Sequence, residues 1–106
     1  MEQRQKIERN KMNKSIRIFL SEKQDKKRIF ETIRMALGIT LKGHIVELYV
    51  SSDVPLDSLE KEKREEIEEF LQAIKYMGGN YIFVEDIQKI MFEKIREKGK
   101  FDILVV

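Results

Sequence analysis

Short β-branched runs alternate in this chain with longer stretches of helical period, and that alternation restricts the fold more than anything else in the sequence. "SIRIFL" (15–20), "HIVELYV" (44–50), "NYIFVED" (80–86) and "FDILVV" (101–106) are short, rich in Ile, Val, Phe or Tyr, and read as strands. Between the first two, apolar residues fall at Ile29, Ile33, Ala36, Leu37, Thr40 and Leu41, the spacing of a helix with one face on a core. A second such set is Leu59, Ile67, Phe70, Leu71, Ile74 and Met77, and a third is Ile87, Ile90, Met91 and Ile95. Strand–helix alternation of this kind predicts a parallel sheet with helices on both faces, joined by right-handed crossovers. The expected fold class is therefore α/β: a three-layer α/β/α arrangement, βαβαβαβ, with a mostly parallel sheet of four to five strands.

Local signals set the boundaries. Ser21 or Asp25 can start the first helix, and Gly43 suits the left-handed turn after it. Asp57, with Glu60 three residues on, forms an acidic capping box, so the second helix is expected from there to about Met77, where Gly78 and Gly79 end it. Asp86 caps the third helix and Gly99 stops it. A second helix of that length runs about 30 Å against about 20 Å for a strand. Nothing apolar lies between Leu59 and Ile67, so its first turns are expected to overhang the sheet. Residues 1–14 have no apolar pattern and read as a charged extension; residues 15–106 read as one domain.

Composition excludes several chemistries. The chain has no cysteine, so thiolate nucleophiles, disulfides and cysteine-ligated metals are absent. Its one histidine, His44, opens the second strand, away from where a site is expected, and cannot complete a Ser–His–acid set. No glycine-rich loop follows the first strand, so neither a dinucleotide fingerprint nor a Walker loop is present. No apolar run approaches the roughly 20 residues of a membrane span, and the N-terminus lacks the apolar core of a secretory signal. A cytoplasmic protein without membrane contact, and without a cofactor, is the expectation. The net charge of +2 does not argue for nucleic acid, which is not expected as a partner, although residues 1–14 hold five basic side chains against two acidic ones. Charged residues make up 38% of the chain, with a single proline, a balance compatible with a thermophilic source.

A parallel sheet binds ligands at the carboxyl ends of its strands, where helix N-termini also point. Those ends carry Ser21 and Glu22 after the first strand, Ser51, Ser52 and Asp53 after the second, and Glu85 and Asp86 after the third. These seven are the candidate ligand-binding residues. The serines suit an anion, and Asp53, Glu85 and Asp86 are oxygen ligands that could converge on a divalent cation. For Ser21, Asp57 and Asp86 helix capping is the competing role, and for Ser51 and Ser52 an ordinary turn.

The stretch "RMALGITLKGHIVELYVSSDVP" (34–55) resembles the DsrE/DsrF/DsrH family, whose members include sulfur-relay subunits. Ala36, Leu37, Leu41, Gly43, His44, Val46, Leu48, Val50 and Asp53 stand in the places of that family's helix–glycine–histidine–strand pattern, and "MGGNYIFVED" (77–86) is similar to its third strand. The resemblance implies a DsrE/DsrF-like fold, flavodoxin-like in the broad sense. It also implies assembly as a homo-oligomer (trimer or hexamer) or as a hetero-oligomer with related subunits. Sulfur-transferring members carry a cysteine near the end of the third strand, where this chain has Val84 or Glu85. The resemblance therefore implies a non-catalytic member, an accessory or partner subunit without persulfide chemistry. The alternative is a binder of a small ligand, phosphate or metal at the strand ends. Tyr49, Tyr76, Tyr81, Met77 and Met91 are the side chains that could supply an interface, completing the core being the alternative role.

Overall fold

The computed structural model describes residues 14–97 and 101–106. In order along the chain lie β1 (Ser15–Leu20), α1 (Lys26–Leu41), β2 (Ile45–Ser51), a 3₁₀ turn (Leu56–Ser58), α2 (Lys61–Tyr76), β3 (Asn80–Val84), α3 (Ile87–Arg96) and β4 (Phe101–Val105). The four strands form one sheet in the order β3-β2-β1-β4, and every pairing is parallel. The α/β class and the four-stranded parallel sheet are as the alternation predicts. Among the described residues there is no fifth strand.

Strand periodicity divides the apolar residues between two faces. Ile18, Leu20, Val46, Leu48 and Val50 point to one side and are fully buried against Ile29, Ile33 and Ala36 of α1 and Ile67, Leu71 and Ile74 of α2. Phe19 and Tyr49 point to the other side, stack at 5.0 Å, and pack on Ile87, Ile90 and Met91 of α3. The first two crossovers thus cover one face, and the third, which runs back past β2 and β1 to reach β4, covers the other.

Among the described residues α3 is the one helix on the second face, and Arg17 of β1 ties it down. Its guanidinium lies 3.8 Å over the Phe101 ring, donates to the Lys94 carbonyl at 3.3 Å, and pairs with Glu97 at 2.8 Å and Glu47 at 3.6 Å. The Tyr49 hydroxyl donates to the same Glu47 carboxylate at 2.5 Å. Burial, followed by that bond, raises the phenol well above its ordinary value.

Several boundaries differ from expectation. Asp25, not Ser21, caps α1, accepting from the Arg28 N–H at 2.8 Å; five polar residues, Ser21 to Asp25, separate the strand end from the helix. Asp57 lies inside the 3₁₀ turn and does not cap α2, whose first residue is Lys61 after Glu60. The cause is Leu59. It turns into extended backbone at ψ 155° and buries its side chain in the core at 6% exposure, which breaks the helix there. Lys61 to Glu66 are all exposed, as the missing apolar residues foretold. Leu41 and Ile95, expected inward, are 61% and 51% exposed. Gly43 does take the left-handed turn after α1, at φ 94°.

Candidate functional site

At the carboxyl edge β2 hands the chain to α2 on one face, and β3 hands it to α3 on the other. A crevice is expected where neighbouring strands part in this way. Here it is stapled shut. The Ser52 N–H donates to the Val84 carbonyl at 2.8 Å, and the Ser52 hydroxyl donates to the same oxygen at 3.1 Å. Asp53 donates its N–H to the Ser51 hydroxyl at 3.2 Å, and its side chain is exposed, as is that of Glu85. Among the described residues no three His, Cys, Asp or Glu side chains come together as a metal site would need, so Asp53, Glu85 and Asp86 do not converge.

The open space lies one strand over. A hollow of about 140 Å³ sits between the exit of β1, the first turns of α3 and the end of β4. Phe19, Ile87, Met91 and Val105 give it apolar walls, and Ser21, Glu22, Lys23 and Gln88 line its polar side. Of the seven residues expected at the strand ends, two line this hollow, and two more act on one of them. Ser21 and Glu22 line the hollow, Ser51 lies beside Glu22, and Asp86 is close enough to act on Glu22 through its charge. Ser51 is almost fully buried at 1%. Asp86 also caps α3, accepting from the Lys89 N–H at 3.1 Å, so the capping role read from the sequence holds for this one residue of the three.

Glu22 is the electrostatic centre of the group. Its own backbone N–H, and then the Ser51 hydroxyl, hold its carboxyl below the ordinary carboxylate range, although Asp86 opposes this. At neutral pH the mouth of the hollow thus carries the ionised Glu22 carboxylate. Lys23 offsets it in part. Such a mouth receives a cation or a strong hydrogen-bond donor better than a phosphate.

Sequence reasoning found the polar rim and missed the walls. Ile87 and Met91 carry the spacing of core residues, which they also are, and Val105 reads as any strand residue. The packing of α3 on Phe19 and Tyr49 brings the first two to the hollow, and the β1–β4 pairing brings Val105. His44 lies at the opposite edge, where its Nδ1 accepts from the Lys14 N–H at 3.0 Å. Two larger hollows flank α2: one of about 600 Å³ against Tyr81 and Phe83 of β3, and one of about 550 Å³ against Lys26, Lys27 and Arg34 of α1. Acids and bases alternate along both, so neither presents a carboxylate isolated over an apolar pocket.

No helix among the described residues is long and apolar enough to cross a membrane. Comparison with protein-family models, with curated proteins and with solved structures found no match to this chain.

Proposed function

We propose that this is a non-catalytic binding protein whose site is the hollow at the carboxyl edge of β1, and that the site takes a cationic or donor group on a short apolar stem. A small amine or a basic side chain of a partner has that chemistry. The observation that carries the reading is the ionised Glu22 at the mouth of a 140 Å³ apolar-walled hollow. The absence of cysteine from the whole sequence leaves no thiolate for covalent chemistry there.

The resemblance of residues 34–55 supplies a more specific form of the same reading. The chain is then a DsrE/DsrF-like accessory or partner subunit of a cytoplasmic sulfur relay or a related process, assembled with copies of itself or with related subunits, and carrying no persulfide of its own. The motif and the order of elements support that form; the comparisons add nothing to it.

Thermal melts test the site. A ligand at a hundred times its dissociation constant adds about 2.7 kcal/mol, which for a domain this size moves the midpoint by at least about 10 °C. n-Butylamine is expected to raise the midpoint, and butyrate and inorganic phosphate to leave it unchanged. Equal effects from butylamine and butyrate, or an equal butylamine shift in Glu22→Gln, would contradict the proposal.

A further inference from the structure

Among the described residues β4 is an edge strand of the sheet, and no strand pairs with its outer side. The Val106 N–H donates to the Phe19 carbonyl at 2.9 Å, and the Val106 carbonyl accepts from the Ser21 N–H at 3.2 Å. Ladder bonds alternate along a strand, so the N–H and C=O groups of Phe101, Ile103 and Val105 point away from β1. Natural edges are blunted by lysine, proline or a bulge. The sequence of β4, FDILV, offers only Asp102.

Exposed apolar side chains surround this edge on both faces. α3 positions 88, 91, 92 and 95 share one flank of the helix. Gln88 and Met91 of that flank line the hollow with Val105, so Phe92 and Ile95 stand on the β4 side. Their exposures are 61% and 51%, beside 36% for Ile103 and 59% for Val105. On the other face Met35 and Leu104, each 37% exposed, share a groove with Arg28. At about 200 Å² per side chain these six leave on the order of 550 Å² open, the upper end of what a monomer shows. With the strand backbone added, that approaches the roughly 800 Å² per partner of a stable interface.

We propose that β4 pairs antiparallel with β4 of a second copy about a twofold axis at Ile103, making one continuous eight-stranded sheet. The register follows from the backbone. Ile103 faces its own copy and Phe101 faces Val105, so every outward N–H and C=O group of the strand finds a partner. A second copy suits this edge because its charges match across the axis. Asp102 lies on the α1 face, paired in register with Ile16, and Arg28 overlies Leu104 and Val106 on that same face. Antiparallel pairing sets Asp102 of one copy beside Leu104 of the other, beneath the second copy's Arg28, and symmetry repeats the pair. Among the described residues Arg28 forms no ion pair within its own chain, and Asp102 has only an exposed one, with Lys14 at 3.5 Å. The inference stands on β4 and owes nothing to the family resemblance; such a dyad fits a dimer or a hexamer and not a lone trimer.

The test is light scattering on the full chain over a range of concentrations, joined to amide hydrogen exchange. The expected mass is an even multiple of 12.7 kDa, with the Phe101, Ile103 and Val105 amides protected. Arg28→Asp is expected to weaken association at least tenfold while leaving the β1 and β2 amides protected, and Asp102→Arg added to it to restore association. A monomer at every concentration, or an assembly in which those three amides exchange as fast as loop amides, overturns the proposal. So does a charge swap that fails to restore association while the fold is intact.

Discussion

Gly79 has no room for a side chain. A Cβ there would lie 2.7 Å from the Val46 carbonyl oxygen and 2.9 Å from Cγ2 of Ile74, both held inside the core. Gly79→Ala is therefore expected to cost about 1–3 kcal/mol in urea denaturation. Its neighbour Gly78, at φ 97°, carries the turn, and nothing crowds its Cβ position. The doublet was legible as a helix stop; that its two members do different work was not, because the close approach belongs to the packing of α2 on β2. Ser51 is the second telling residue. It accepts from the Asp53 N–H and holds the Glu22 carboxyl down. Glu22 has a depressed folded-state pKa, so its contribution to stability is present above the unfolded pKa and is lost as pH falls through the folded one. Ser51→Ala is expected to cost about 1 kcal/mol at neutral pH. It should also move the Glu22 titration, followed by carboxyl NMR shifts, up toward the ordinary value.

At the scale of elements, the strands and helices were readable because their periods differ. Where one element gave way to a turn, the reading slipped. Leu59 carries a helical position in the sequence, yet it anchors the extended link between the 3₁₀ turn and α2. Leu59→Ala is expected to cost about 2–4 kcal/mol by chemical denaturation, whereas alanine at Lys61 or Glu62, which are exposed, should fall within about 0.5 kcal/mol. Ile95 shows the converse. Its spacing matches Ile87 and Met91, but among the described residues α3 is the one helix on its face, and Ile95 is left 51% exposed. Periodicity says that a side is apolar; only the count of covering elements says whether it is buried. Of the five side chains weighed for an interface, Tyr49 is core, Tyr81 and Met91 are half-buried, and Tyr76 and Met77 are 93% and 47% exposed.

The whole molecule decides where a site can form. The carboxyl edge was foreseeable from the parallel sheet alone; of the seven residues assigned to it, Ser21 and Glu22 line one hollow, and Ser51 and Asp86 act on Glu22. The other three stand apart because Ser52 closes the crevice between β2 and β3. Which strand lies beside β1 on its free side is a tertiary fact that no local signal carries, and it is β4 that completes the hollow with Val105. The hollow governed by Glu22 is the proposed binding site. Residue-resolved amide shifts during a titration with n-butylamine test it most directly. Saturable shifts are expected at Ser21–Lys23 and Asp86–Gln88, abolished in Glu22→Gln. Shifts centred on the hollows beside α2, or unchanged in Glu22→Gln, would contradict it.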